Sequence, residues 1–310
     1  MRSRDSGSDT ANGPAHTPGA VRDRLVVRFG PEVLAWCDAL PALAGELAAR
    51  WDLQLLASRG GGTSRVLRCR RRGAGTTVWL KVTPAPAIAR EEAEALHRWA
   101  GSPSVVGLLA QDLQAGALLL EDVAPGPPVQ RLAGRLPEVA ALLRALREPS
   151  PGREGPSALR PLSERVDFLC RLTERRADAA GVPGRFGSAF LERARTRCRE
   201  LSDSAPVGLV HGDLHPANVL SGPGGRLVAI DPRPAWGDPD FDAVDWVLDG
   251  VSDLAALKRR TAELAAMVPG LCPDRVLGWC RVQAPLAAVP RVCAGRDDEQ
   301  TRFLLALAGR

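Results

Sequence analysis

The sequence predicts an α+β protein of two lobes, a small antiparallel β-rich lobe followed by a larger, mainly helical one. Three observations predict it. Short apolar runs punctuated by glycine dominate residues 53–120, whereas apolar residues at helical spacing dominate from about residue 130. Between them, Glu121 to Pro128 holds four Pro or Gly residues and no periodic pattern. At 310 residues, 45% hydrophobic and 25% charged, the chain is long and apolar enough to bury a substantial core, which excludes wholesale disorder.

The elements follow in order. Residues 1–20 are rich in Ser, Gly, Pro and Asp and predict a disordered tail. Leu34, Leu40, Leu43, Leu47 and Trp51 recur at helical spacing, giving one helix or two broken at Pro41. The period then shortens. Strands are expected at Leu53–Leu56, Arg65–Cys69 and 76–82, with Gly60-Gly61-Gly62-Thr63-Ser64 between the first two. Residues 88–100 have high helix propensity, and Val105–Leu109 and Ala117–Leu120 read as buried strands. Helices are expected over 130–147, 161–180 and 186–203, a strand–loop–hairpin over 207–231, and helices again from about 241. This places a first lobe at 21–120, a hinge at 121–128 and a second lobe at 129–310.

Composition narrows the function classes. The net charge of +5 comes from 41 basic residues, of which only Lys81 and Lys258 are lysine. That arginine bias, with no Tyr, reads as coding bias rather than as a nucleic-acid footprint. The cluster Arg68 to Arg72 beside Gly73 and Gly75 reads as a solvated hairpin tip. No apolar run approaches the roughly 18 residues of a membrane span. Seven cysteines form no CxxC pair, and the polar first 20 residues contain no secretory leader. The expectation is a cytoplasmic protein with reduced thiols, no zinc site, no nucleic-acid or membrane partner and no obligate protein partner.

The chemistry concentrates in Val210-His211-Gly212-Asp213-Leu214-His215-Pro216-Ala217-Asn218-Val219-Leu220, followed by Leu227-Val228-Ala229-Ile230-Asp231. Asp213, Asn218 and Asp231 carry short oxygen-bearing side chains of the kind hard Mg²⁺ prefers. A two-residue turn at Gly224-Gly225 would set Asn218 opposite Asp231 at the open end of a hairpin. An Asp followed five residues later by an Asn, then by an Asp beyond a hairpin, is the spacing of a kinase catalytic loop. His211 is expected to support the loop by a hydrogen bond and His215 to cap it.

These residues resemble the aminoglycoside phosphotransferase family, whose fold is protein-kinase-like. His211-Gly-Asp213-Leu-His-Pro-Ala-Asn218 looks like the family's catalytic motif. Ile230-Asp231-Pro232 stands where protein kinases carry Asp-Phe-Gly, and Gly237-Asp238-Pro239-Asp-Phe241-Asp242 matches the motif that follows. Asp-Pro at 231–232 is similar to the streptomycin 6-phosphotransferase and hydroxyurea kinase branch. The resemblance implies a phosphotransferase that moves the γ-phosphoryl group of ATP, with GTP also possible, to an alcohol group. Asp213 would be the catalytic base, and Asn218 and Asp231 the Mg²⁺ ligands.

Further roles follow from position. Lys81 ends an apolar strand in a chain that otherwise uses arginine, which suits a phosphate-holding lysine paired to a helix carboxylate. Glu91 has the family spacing, and Glu94 lies one turn on. Gly61, Gly62, Thr63 and Ser64 fall where a phosphate-covering loop belongs. Main-chain groups of Glu121 and Val123 fall where the family holds the adenine edge.

The acceptor implied is a small cationic aminoglycoside of the streptomycin type, in a resistance or self-protection role. Residues 231–253 carry seven Asp against one Arg, which suits such a cation. Trp236, Asp240, Asp297, Asp298 and Glu299 are the candidate acceptor contacts. The alternatives are a metabolic kinase of choline, homoserine or fructosamine type, and a nucleotide-binding pseudokinase.

Overall fold

The computed structural model describes residues 13–60, 63–129, 134–148, 157, 159–182 and 188–309. The expected positions Gly61 and Gly62 lie outside the described residues, as do residues 1–12 of the expected tail. The chain divides into two compact units. The first comprises residues up to His97 together with Val106–Asp122; the second comprises Arg98–Val105 and Val123 onward.

The first unit is built on a five-stranded antiparallel sheet of β1 (Leu53–Gly60), β2 (Arg65–Arg71), β3 (Thr77–Val82), β4 (Leu108–Asp112) and β5 (Ala117–Glu121). The strand order is β1-β2-β3-β5-β4. Successive side chains alternate faces, so Leu67 and Cys69 of β2 and Leu80 and Val82 of β3 point to one side. That side packs on Leu40, Ala44 and Leu47 of α2 (Val33–Arg50). Pro41 sits within α2, which runs as one helix. The opposite side of β3 carries Trp79 and Lys81. The Arg68–Arg72 cluster, expected at a hairpin tip, lies mostly within β2: Arg68–Arg71 are strand residues, and Arg72 opens the β2–β3 turn, which the Arg71 N–H closes by donating to Thr76 O at 2.9 Å.

Two expectations change. The polar segment 13–20 is ordered: Ala15 and Thr17 are buried, and the Arg65 guanidinium donates to His16 O at 2.7 Å. Gly19 then opens α1 (Gly19–Phe29), whose Leu25 packs with Val33 and Cys37 of α2. The strand expected at Val105–Leu109 begins three residues later, because Val105 instead bridges to Ala229 within the second unit. α3 (Pro86–Arg98) completes the first unit, its last residue passing into the second.

The second unit is mainly helical. Its helices are α4 (Leu136–Arg147), α5 (Leu162–Ala179), α6 (Ser188–Ser204), α7 (Val244–Leu248), α8 (Leu254–Met267), α9 (Pro273–Cys293) and α10 (Glu299–Ala308). α9 forms the spine, burying Val276, Trp279, Cys280, Val282, Leu286 and Val289. Two small antiparallel sheets hold the loops: β6 (Gly208–Val210) with β9 (Ala235–Gly237), and β7 (Val219–Ser221) with β8 (Leu227–Ala229). All seven cysteines are free. No helix among the described residues is long and apolar enough to cross a membrane.

Candidate active site

The 211–218 loop of the second unit leaves β6 and is fastened at both ends. His211 O accepts from the Arg233 N–H at 2.8 Å, extending the β6–β9 pairing. The buried Asp242 carboxylate accepts the N–H groups of His211 (2.7 Å) and Gly212 (2.9 Å). Burial pushes the Asp242 carboxyl up to about 7, against the pull of those two donors. Gly212 adopts φ +74°, and a Cβ there would lie 2.2 Å from Arg233 O, so only glycine fits.

His211 is fully buried, stacked on Trp99 at 6.2 Å between ring centroids. Its Nε2 lies 3.2 Å from Ile230 O, and its Nδ1 accepts the Asp213 N–H at 3.4 Å. Burial lowers its pKa to about 4, so the ring is neutral, with Nε2–H donating to Ile230. It supports the loop as expected. His215 does not cap with its side chain: its carbonyl accepts the Asn218 N–H at 2.8 Å, and its ring stands 4.0 Å from Asp213.

Asp213 is a third exposed and held on both oxygens. Oδ1 accepts from Arg165 Nη2 at 3.2 Å, and Oδ2 from Asn218 Nδ2 at 3.2 Å. Arg165 also donates from Nε to Gly212 O at 2.6 Å. Burial lowers the Arg165 pKa, and the charge of Asp213 opposes this. Arg165 belongs to α5, 48 residues before Asp213, and no local motif marks it.

The hairpin register corrects the expectation for Asn218. Pro223–Gly225 makes a three-residue 3-10 turn, with Gly224 at φ +66° and Gly225 at φ +79°. Pairing therefore runs Val219↔Ala229 and Leu220↔Val228, and Asn218 faces Ile230 rather than Asp231. The Ile230 N–H donates to Asn218 O at 2.9 Å. Asp231 follows at φ +55°, a left-handed conformation that Asp tolerates better than most residues. Its Oδ1 lies 2.9 Å from Arg233 Nη2.

The donor chemistry fits a hard cation. The Asn218 amide nitrogen is committed to Asp213, through its carboxylate and through its carbonyl at 3.0 Å, which leaves Oδ1 as the acceptor end. No group of three or more His, Cys, Asp or Glu suited to caging a metal occurs among the described residues. Asn218 Oδ1 and the Asp231 carboxylate are oxygen donors of the kind Mg²⁺ takes beside waters and phosphate oxygens.

In the first unit, Lys81 is buried and its Nζ lies 2.5 Å from Glu92 Oε2, also buried. The partner is thus Glu92 where Glu91 was expected. The phase of α3 sets this: Ala89, Glu92, Ala93 and Leu96 form its buried stripe, while Glu91 and Glu94 are half-buried. Thr63 and Ser64 are buried, and the Thr83 hydroxyl donates to Thr63 O at 2.9 Å. The Glu121 N–H is spent on Gly107 O (3.0 Å), and its carboxylate accepts the Gly107 N–H (2.8 Å). Only its carbonyl is left for a base edge. Val123 is buried in the second unit. Trp79 stands two residues before Lys81 on the same strand face. Its indole N–H donates to Asp122 at 2.6 Å, and Arg59 lies 5.2 Å above the ring.

The expected acceptor contacts fare differently. Asp240 is fully buried and ion-paired to Arg147 (2.6 Å) and Arg275 (2.7 Å), and it accepts the Cys272 N–H. It is a structural tie between α4 and α9, not a surface for an acceptor. Asp298 caps α10 by accepting the Thr301 N–H at 2.9 Å, and it pairs with Arg291. Asp297 pairs with Arg302, and Glu299 occupies the first turn of α10, where its charge suits the helix dipole. Trp236 lies half-buried on β9 with the Arg98 guanidinium 5.1 Å over its ring.

Residues 50–295 match the family described as aminoglycoside/hydroxyurea antibiotic resistance kinase. A streptomycin 6-kinase of Streptomyces glaucescens is 31% identical over 81% of this chain and 82% of its own length. A hydroxyurea phosphotransferase of Kitasatospora aureofaciens is 30% identical over 78% of this chain and 70% of its own. Among solved structures, a choline kinase from Streptococcus pneumoniae superposes with TM-score 0.59 at 13% identity, covering 87% of this chain and 99% of its own. A thermostable aminoglycoside phosphotransferase in complex with ADP and hygromycin B superposes with TM-score 0.51 at 16% identity, covering 86% and 97%. The fold is protein-kinase-like.

Proposed function

The chain belongs to the aminoglycoside/hydroxyurea antibiotic resistance kinase family, and from that premise we propose that it transfers the γ-phosphoryl group of ATP to a hydroxyl of a small cationic antibiotic of the streptomycin type. The observation that carries the reading is the Asp213 carboxylate, fixed between Arg165 and Asn218 on a loop locked at both ends. A carboxylate so held can orient an acceptor hydroxyl and take its proton as the oxygen attacks phosphorus.

Asn218 and Asp231 would hold Mg²⁺. When bound, the ion neutralises charge on the phosphates. Lys81, aligned by Glu92, places a compact positive charge for the nucleotide phosphates. Trp79, on the same strand face, offers its ring to the base. Thr63, Ser64 and the main chain of Glu121 and Val123 complete the nucleotide contacts in this reading. Catalysis then rests on positioning and fixed charge rather than on a covalent intermediate.

The reading is tested by coupled ADP release from purified protein with Mg·ATP and, in separate reactions, streptomycin, hydroxyurea and choline. Turnover with streptomycin is expected, falling by at least roughly 10²-fold in Asp213→Ala while ADP binding persists. Turnover with choline alone would replace this reading with that of a metabolic kinase. ATP binding without turnover on any acceptor would make the protein a nucleotide-binding pseudokinase.

A further inference from the structure

The carboxylates around the catalytic loop are almost all satisfied within the fold. Asp213 is held by Arg165 and Asn218, Asp231 by Arg233, and Asp242 by two backbone N–H groups. Asp238 accepts from Trp279 at 2.7 Å, and Asp240 is paired with two arginines. Asp245 differs. Among the described residues its carboxylate takes part in no hydrogen bond or ion pair, and it is half-buried.

Its place in the fold is set by the catalytic loop itself. Asp242, which grips His211 and Gly212, lies in a 3-10 turn (Pro239–Ala243) that runs straight into α7. Asp245 lies three residues on, so it shares that side of the coil. Its neighbours Val244, Trp246 and Val247 are buried in the core. Burial raises the Asp245 carboxyl above the usual carboxylate range; His215 and Arg165 partly offset this, and the charges of Asp213 and Asp249 add to it. His215, Asp213 and Arg165 are therefore within electrostatic reach, although neither cation forms an ion pair with Asp245 among the described residues. At the other end of α7, Gln300 donates to Leu248 O at 3.2 Å, and Asp249 adds a further negative charge.

We propose that Asp245 is a specificity-determining residue that receives a cationic group, an ammonium or guanidinium, of the acceptor beside Asp213. The inference rests on the function proposed above. A cation answers what this carboxylate lacks: it supplies hydrogen-bond donors and relieves the like charge of Asp213 and Asp249. A neutral hydroxyl would supply only the donor. The expected contact Asp240 lies in the same acidic run, but its charge is already consumed by Arg147 and Arg275.

The test is steady-state kinetics of the wild type, Asp245→Asn and Asp245→Glu at saturating Mg·ATP, with streptomycin as cationic acceptor and hydroxyurea as neutral one. Asp245→Asn should raise the KM for streptomycin by roughly 10- to 100-fold, leaving its kcat, the KM for ATP and the KM for hydroxyurea near wild type. Asp245→Glu should recover most of the loss. In the wild type, the streptomycin KM should rise with ionic strength; this salt dependence decides the matter if Asp245→Asn does not fold. A streptomycin KM unchanged in Asp245→Asn, a parallel rise for both acceptors, or a salt-insensitive wild-type KM would overturn the inference while leaving the proposed function intact. A wild type that phosphorylates hydroxyurea but not streptomycin, or neither, would overturn the proposed acceptor class and the inference with it.

Discussion

Replacing Gly212 with Ala probes the geometry of the catalytic loop most sharply. The residue sits at φ +74°, and an added Cβ would meet Arg233 O at 2.2 Å and Arg165 Nε at 3.1 Å. The first contact is with backbone, so no rotamer change relieves it. The left-handed conformation alone costs an L-residue about 1–2 kcal/mol. Moving the two segments apart by the ångström needed also breaks the Arg233 N–H to His211 O bond, worth about 1 kcal/mol. It breaks the charged Arg165 to Gly212 O bond as well, worth about 1.5–3 kcal/mol. The expected loss is roughly 3.5–6 kcal/mol, a large share of a typical 5–15 kcal/mol stability. Gly224→Ala is the control: φ is +66°, nothing lies within 4 Å of its Cβ, and only the conformational term of about 1–2 kcal/mol applies. Urea denaturation followed by tryptophan fluorescence measures both variants. Whatever Gly212→Ala protein folds should also lose about 10²-fold in kcat, because Asp213 follows directly. If Gly212→Ala costs no more than Gly224→Ala, the close approach of the two segments is wrong.

Further predictions concern the same unit. Asp240→Ala should leave Arg147 and Arg275 without their shared carboxylate and destabilise by about 3–5 kcal/mol, with the acceptor KM unchanged in the folded fraction; a raised KM without a stability loss would contradict its structural role. Asp298→Ala should cost about 0.5–2 kcal/mol through the lost cap of α10, seen as a lower Tm with unaltered kinetics. The neutral, buried His211 favours the fold above its unfolded pKa near 6.5, and that contribution is lost as pH falls through about 4. The stability difference between wild type and the always-neutral His211→Gln should therefore shrink between pH 7.5 and 4, on the order of 3 kcal/mol, which thermal melts across that range would detect. Chelating Mg²⁺ with EDTA should abolish turnover while leaving the apo-protein Tm unchanged; a fall in Tm would point instead to a structural metal.

The local parts of this site were readable from sequence, and the long-range parts were not. Asp213, Asn218 and Asp231 lie within 19 residues of one another, in a segment whose hairpin ties them together whatever the rest of the chain does. Lys81 stood out as a rare lysine ending an apolar strand. Where the structure departs from the sequence expectation, tertiary packing decided. Glu92 replaces Glu91 because the rotation of α3 against the sheet selects the buried carboxylate. The hairpin register shifted by one residue because Pro223 starts a three-residue turn ahead of the two glycines. Asp240 and Asp245 look alike in the acidic run, and only packing shows that the first meets two arginines while the second, among the described residues, forms no ion pair. Arg165 had no local signal at all, since it reaches Asp213 from a helix far upstream. The order of residues 13–18 was hidden by a polar composition whose anchor, Arg65, lies in β2.

In the proposed function, Asp213 drives phosphoryl transfer to a cationic acceptor. Phosphorus NMR of the product formed from Mg·ATP and streptomycin, with wild type and Asp213→Ala side by side, tests it most directly. Wild type should give one new phosphate monoester resonance on the antibiotic and the variant none, although the variant still binds ADP. A monoester formed equally by both proteins, or ATP hydrolysed to inorganic phosphate with the antibiotic unmodified, would contradict it.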